Sequence, residues 1–173
     1  MDFFIADTHF GHANIVKYCG RPFPNSDEMD ETIIRNWNAV VSKDDTVYHL
    51  GDFSLVKKNR IPEYIDALNG KIILIRGNHD RSRTITAWGK MGIDSRNGPI
   101  RYSYYLLSHE PMLFPELPNI HGHTHGNVHN GDISDHGIHV CVSCEAVNYS
   151  PISIDFIEKA IELGVMCGMR EVR

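Results

Sequence analysis

No run of apolar residues in this chain approaches the ~18 to 20 needed to cross a bilayer. Its start has no basic segment followed by a long apolar one, so a soluble, cytoplasmic protein with no membrane partner is expected. Cysteines are few. Cys19, Cys141, Cys144 and Cys167 follow no disulfide framework, and a chain of this size needs none, which makes a reducing compartment the default. Cys141 and Cys144 have no second pair to complete a zinc knuckle, and positions three apart in an extended run face opposite ways, so both are expected as buried small apolar residues. Basic charge is also short: 17 Lys and Arg against 22 Asp and Glu leave a net charge of −5. That balance excludes the clustered cationic grip of an extended nucleic-acid surface. There is no Gly-x-Ser-x-Gly elbow, no Gly-rich Walker loop and no repeat, low-complexity tract or linker.

What is present fits a single domain over residues 1–173, with 42% hydrophobic and 23% charged residues. A chain of that length buries about 70% of its unfolded surface. Residues 3–6, 46–50 and 71–76 are short β-branched or aromatic runs ending in polar blocks, as buried strands do. Between them, Met29, Ile33, Ile34, Trp37, Val40 and Val41 recur at helical spacing, with Ser26 or Asp27 as the expected cap. Ile61, Tyr64, Ile65 and Leu68 repeat the pattern, and Asn69-Gly70 ends it. The second half offers strands at 104–108, 119–121, 139–143 and 151–154, then a helix over about 155–163. Asn130-Gly131 is the strongest hairpin signal. Trp37 and Trp88 lie in helical patterns and are expected in the core.

Against this background, residues able to hold a metal stand in five short blocks: Asp7-Thr8-His9, Gly51-Asp52, Gly77-Asn78-His79-Asp80, His109 and Gly122-His123-Thr124-His125. Each follows an apolar run, at the edge where open α/β sheets place their sites. Asp7 and His9, two apart at the end of an extended run, are expected to project to one side. Asp52 follows a glycine that lets backbone approach closely, which suits a carboxylate shared between two cations. A lone His at a strand end is more often a satisfied polar group than a ligand, so His109 alone says little. The joint pattern, with one i, i+2 pair opening the set and another closing it, points to metal.

Asp-x-His, Gly-Asp, Gly-Asn-His-Asp, His and Gly-His-x-His, in that order over residues 7–125, resemble the calcineurin-like metallophosphoesterases. The stretches Asp7-Thr8-His9-Phe10-Gly11-His12, Tyr18 to Phe23 and His49 to Phe53 look like the small bacterial and phage members. The resemblance implies a four-layer α/β/β/α sandwich with two mixed sheets. It implies one ion held by Asp7, His9, Asp52 and His125, and a second held by Asp52, Asn78, His109 and His123, with His79 unligated beside the substrate. Mn²⁺ is favoured, and Fe, Zn²⁺, Ni²⁺ and Co²⁺ suit the same thiolate-free set. Protein phosphatases carry a further Asp and an Arg-Gly after the Gly-Asp block; Phe53-Ser54-Leu55-Val56 stands there instead, which argues against a phosphoprotein substrate and leaves the partner of His79 unassigned. The chain is too short for the capping domain of the DNA double-strand-break nucleases, so an open site is expected.

The expected chemistry follows from charge. A phosphoester repels nucleophiles, and two cations neutralise it and lower the pKa of a bridging water that attacks phosphorus in line. His79 then protonates the leaving alkoxide, with Asp52 bridging the ions. A small or nucleotide-derived phosphodiester is the expected substrate, with a monoesterase or a non-catalytic metal-binding scaffold as alternatives. His12 is a candidate substrate contact or a plain helix-start residue. Arg21 is a candidate anion clamp or a solvated loop residue. His129, His136 and His139 suggest surface loops more than another metal site.

Overall fold

Strands β1 (Asp2–Ile5), β2 (Thr46–His49), β3 (Lys71–Ile75) and β4 (Asp94–Arg96) run parallel because helices carry the chain back between them. Helices α1 (Ala13–Tyr18) and α2 (Ser26–Val40) lie between β1 and β2, α3 (Ile61–Ala67) between β2 and β3, and α4 (Ile85–Gly89) between β3 and β4. These ranges come from a computed structural model that describes residues 1–113, 115–125 and 137–163. The Asn130-Gly131 hairpin, His129, His136 and Cys167 lie outside the described residues.

A second sheet is built from β5 (Ile100–Tyr102), β6 (Tyr105–Ser108), β7 (Asn119–His121) and β8 (His139–Cys141), in that order. β5 and β6 form an antiparallel pair, and β6, β7 and β8 are parallel. Strand β9 (Ile152–Ser153) then returns to the first sheet, antiparallel to β1, to complete the order β4-β3-β2-β1-β9. Helix α5 (Ile154–Glu162) follows directly, capped by the Ser153 hydroxyl on the Phe156 amide. The result is the expected α/β sandwich with two mixed sheets. No helix among the described residues is long and apolar enough to cross a membrane.

Two contacts fasten the sheets to each other. Past the end of β1, the Ala6 amide donates to the Val142 carbonyl at 2.8 Å and the Cys144 amide donates to the Ala6 carbonyl at 3.0 Å. The ends of β1 and β8 therefore run side by side. Nearer the middle, Phe4 stacks on Tyr48 and meets Tyr102 edge-on, both at 5.4 Å between centroids, and the Tyr102 hydroxyl donates to Asp2 at 2.7 Å. Trp37 and Trp88 are fully buried, as their helical settings suggest. The Trp37 indole N–H finds the Asn69 carbonyl at 2.9 Å, which fits α2 to the turn before β3.

The helix boundaries show how local chemistry shifts an expectation by one residue. Asn25 caps α2, accepting from the Glu28 amide at 2.9 Å, in place of Ser26 or Asp27. Its extended backbone lets the side chain curl onto the first turn, whereas Ser26 is already helical. Strands β4 and β5 are additions to the sequence reading, while α1 and α4 give bounds to the helix start at His12 and to the helical pattern around Trp88. Each is short, and Asp94-Ser95-Arg96 has no apolar alternation to mark it.

One buried carboxylate ties α2 and α3 to the loop after β1. Asp30 Oδ2 accepts from the Gly11 amide and from the Tyr64 hydroxyl, both at 2.9 Å. Burial raises its carboxyl from 3.8 to about 6. The native state therefore holds this proton more tightly than the unfolded chain does, and the group's contribution is largest below about pH 4 and declines as pH rises to about 6. In metal-free protein, the stability difference between wild type and Asp30→Asn should fall across that window and be level above it. Chemical denaturation at a series of pH values reads this out, and a difference independent of pH would contradict the assignment.

Candidate metal centre

All five ligand blocks stand just past the C-terminal ends of parallel strands. Asp7 and His9 follow β1, Asp52 follows β2, Asn78 and His79 follow β3, His109 follows β6, and His123 and His125 follow β7. The two i, i+2 pairs do not reach this edge on extended backbone, however. Asp7, His9, Asp52, His123 and His125 all adopt left-handed backbone, with φ between 50° and 71°. Such a conformation costs a non-glycine residue roughly 1 to 2 kcal/mol, and its concentration here marks a place where geometry is held against local preference. The side chains share a face because tight turns aim them there, not because a pleat alternates.

Asp52 sits at the middle. Its Oδ2 lies 3.6 Å from His9 Nε2, 3.6 Å from His109 Nε2 and 3.9 Å from His79 Nε2. These distances are too long for hydrogen bonds but close to the roughly 3 to 3.5 Å that separates two ligands on one shared ion. On one side, Asp7, His9 and His125 bring potential ligand atoms within 4.8 Å of one another. On the other, Asp7, Asp52 and His109 do the same, and His109 Nε2 meets Asn78 Oδ1 at 3.0 Å and His123 Nδ1 at 3.1 Å.

The hydrogen bonds around this cluster turn lone pairs inward. His109 Nδ1 lies 2.8 Å from the Leu50 carbonyl. A carbonyl only accepts, so that nitrogen carries the proton and Nε2 points a lone pair at Asn78 and Asp52. His125 repeats the arrangement, with Nδ1 3.0 Å from Glu145 Oε1 and Nε2 3.9 Å from Asp7 Oδ1. Asp7 Oδ2 accepts from the His123 amide at 2.8 Å and from the Ser143 hydroxyl at 2.7 Å. Its Oδ1 and both ring nitrogens of His9 are buried and find no partner among the described residues. Buried acceptors facing one another without donors are expensive, and a divalent cation is the group that resolves them. The residues present therefore fit two ions.

Burial raises the Asp7 carboxyl to about 7, with Asp52 adding repulsion, and burial holds His9 neutral. For His125, burial opposes the charged ring, yet the Glu145 hydrogen bond and the Asp7 carboxylate carry it above the ordinary value. A third trio, Cys19, His125 and Glu145, also lies within 4.8 Å. Burial and the neighbouring Glu145 push the Cys19 thiol to about 11, so it stays protonated beside the centre.

Asp80 takes a different place from its neighbours. Its buried carboxylate accepts from the amides of Asp52, Phe53 and Gly77, at 2.6, 3.2 and 2.9 Å, locking the loops after β2 and β3 together. Behind them, the Thr8 hydroxyl donates to the Phe53 carbonyl at 2.7 Å and meets His49 Nε2 at 2.9 Å. Asp80 is thus spent on backbone, and Asp52 Oδ1 accepts from the His79 amide at 3.0 Å. The His79 side chain is 44% exposed and packs edge-on against His9 at 5.4 Å. His12 stands half-buried on the same rim, 5.5 Å from His9 between ring centroids.

Arg21 corrects both sequence expectations, the anion clamp and the solvated loop residue. It is 4% exposed. Its donors go to the carbonyls of Asp7 and Thr8, at 2.6 and 3.1 Å, and to Glu145 at 2.8 Å, and its guanidinium lies over the Tyr149 ring. No face remains for a substrate. Cys141 and Cys144 are buried, and His139 packs edge-on against His121. Ser143 and Glu145 are supporting residues that the sequence reading passed over, although Glu145 is the only charge between Val140 and Tyr149. A cavity of about 480 Å³ opens beside His109, lined by Arg76, Asn97, Pro99, Ser108, Glu110 and Met112 among others.

Clustered carboxylates and imidazoles at the C-terminal strand ends of a two-sheet sandwich define a metal-binding α/β protein. The model of the calcineurin-like phosphoesterases matches residues 3–131, and the chain belongs to that family. It is 43% identical over 171 residues to an uncharacterized protein of Methanocaldococcus jannaschii, covering 94% of this chain and 92% of that one. A crystal structure of a protein of unknown function from Aquifex aeolicus shares 30% identity and a TM-score of 0.74, over 92% of this chain and 98% of the other. Pseudomonas putida nuclease MPE shares the fold at 24% identity and a TM-score of 0.50, over 71% of this chain and 60% of its own.

Gly77 tests how tightly the centre is packed. A Cβ there would stand 2.2 Å from Asp52 Oδ1 and 2.7 Å from the Asp52 amide nitrogen, whereas one at Gly89 would meet nothing within 4 Å. Gly77→Ala should lower divalent-ion affinity at least about tenfold, on the order of one displaced ligand or supporting contact. Gly89→Ala, at the end of α4, should leave it unchanged and gain up to about 1 kcal/mol of stability. Calorimetric titration with Mn²⁺ checks both; equal affinity in the two variants would contradict this geometry.

Proposed function

We propose that the chain is a binuclear metal-dependent phosphoesterase that hydrolyses small or nucleotide-derived phosphodiesters, with Mn²⁺ as the ion of choice in vitro. The observation that carries this reading is the position of Asp52 Oδ2, equidistant from His9 and His109 and just beyond hydrogen-bond range of both. Asp7, His9, Asp52 and His125 would hold one ion, and Asp52, Asn78, His109 and His123 the other. When bound, two such ions neutralise a phosphoester and supply a nucleophilic water at neutral pH.

The remaining steps belong to the chain's own groups. Leu50 and Glu145 fix the tautomers of His109 and His125, so that each keeps an inward lone pair. His79 lies within reach of the centre yet remains open to solvent, which suits a donor that protonates the leaving oxygen. Asp52 accepts from its backbone amide and faces its ring. The cavity beside His109 gives the organic part of an ester somewhere to lie. A non-catalytic metal scaffold is the alternative reading, and His79 weighs against it: metal binding alone has no use for an exposed, unligated imidazole at this point.

Metal-free protein reloaded with Mn²⁺, Ni²⁺ or Zn²⁺ should turn over bis-p-nitrophenyl phosphate faster than p-nitrophenyl phosphate. His79→Asn should keep both ions and lose roughly 10²- to 10⁴-fold in turnover of a diester with a poor leaving group, while Asp52→Asn should weaken both ions. Folded protein with two bound ions and no turnover of either ester would sink the enzyme reading in favour of the scaffold. Full activity of His79→Asn on the poor leaving group would remove only its role as proton donor.

A further inference from the structure

We propose that Glu145, held in place by Arg21, is a positioning residue that fixes the ring of His125 for metal binding and couples the loop after β1 to the loop after β7. The inference rests on the two-ion reading above. Glu145 Oε1 receives two donors at once, Arg21 Nε at 2.8 Å and His125 Nδ1 at 3.0 Å. The same guanidinium donates through its terminal nitrogens to the carbonyls of Asp7 and Thr8. One planar group therefore grips the turn that carries Asp7 and His9, and through Glu145 it sets the ring that faces Asp7 Oδ1 from the other sheet.

Both ends of this clasp hold strained backbone. Asp7, His9 and His125 are all left-handed, and Asp7 and His125 lie 118 positions apart in the sequence with no strand pairing between their own residues. Without a fixed link, His125 could present either nitrogen inward, and only the Nδ1–H tautomer leaves Nε2 as a lone pair. A carboxylate at Nδ1 selects that tautomer and raises the basicity of Nε2. Arg21 in turn neutralises Glu145, so that a buried anion can stand beside the ligands without uncompensated charge. The geometry of Arg21 suits this: its fork spans two carbonyls and a carboxylate, which the single ammonium of a lysine does not.

The consequence is selective. Losing Glu145 affects the ion that His125 holds and spares the ion held by Asp52, Asn78, His109 and His123. Equilibrium dialysis and calorimetry with Mn²⁺ on the full chain should find two ions in wild type. Glu145→Gln should lose affinity for one ion by about 10- to 100-fold and keep the other. Glu145→Asp, which retains the charge, should lose less, and Glu63→Gln on the exposed face of α3 should change neither. In Zn²⁺-loaded wild type, nitrogen-15 NMR should show His125 protonated at Nδ1 and ligated at Nε2. Folded Glu145→Gln that binds both ions as wild type does would overturn the inference while leaving the two-ion reading intact. If Glu145→Gln fails to fold, the wild-type spectrum decides: ligation of His125 through Nδ1 overturns the inference, and an Nδ1–H signal supports it. Wild type that binds fewer than two ions overturns the two-ion reading, and this inference with it.

Discussion

Two buried carboxylates set the terms for everything else in this protein. Asp7 and Asp52 are brought to the meeting edge of the two sheets with almost no solvent exposure, and imidazole lone pairs are turned toward them. No hydrogen-bond donor answers Asp7 Oδ1 or either nitrogen of His9 among the described residues. Burial of that kind is tolerated only where positive charge is supplied. The fold accordingly spends its supporting bonds on aiming acceptors inward: Leu50 behind His109, Glu145 behind His125, Ser143 and the His123 amide behind Asp7, and Asp80 under the amides of Asp52, Phe53 and Gly77. The concentration of left-handed backbone at the same residues belongs to the same constraint. It is strain held in place by a rigid scaffold so that ligands from five strands converge.

The scaffold explains why convergence is achieved by so few residues. Parallel strands β1, β2 and β3 end level with one another, as their register fixes Ile5 beside His49 and His49 beside Leu74. β6 and β7 do the same in the second sheet, with Ser108 beside His121. The Ala6 and Ser143 pairing then aligns the two sheets along one edge. A ligand block placed just after any of these strands arrives at the same spot, so spacing along the chain carries little information while position relative to strand ends carries much. This is the general logic of sites in open α/β sheets, applied here across two sheets.

That logic decided what was legible in the sequence. Strand ends were visible because apolar runs stop abruptly at polar blocks, and the ordered set of those blocks gave the family. The candidate ligand residues were legible by type and by their place after strand ends; their conformation was not, because a left-handed turn at Asp7 or His123 leaves no mark in an alternating pattern. Supporting residues were harder still. Arg21 read as a loop cation because its burial depends on Glu145, 124 residues away, and no local signal reports a partner at that distance. Adjacency to His79 said nothing of where Asp80 points, and its carboxylate turns under the amides of the neighbouring loop. Short strands such as β4 and β5 escaped because three residues hold too few apolar positions to define a period. Asn25 took the capping role from Ser26 and Asp27 because the extended residue before the first turn has the only side chain free to fold back onto it.

The central claim is that Asp52 is shared between two ions, one facing His9 and His125 and the other facing Asn78, His109 and His123. Anomalous diffraction at the manganese edge from crystals grown with Mn²⁺ tests it most directly. The account predicts two peaks about 3.5 to 4 Å apart, both within bonding distance of the Asp52 carboxylate. A single peak, or two ions that do not share Asp52, would contradict it.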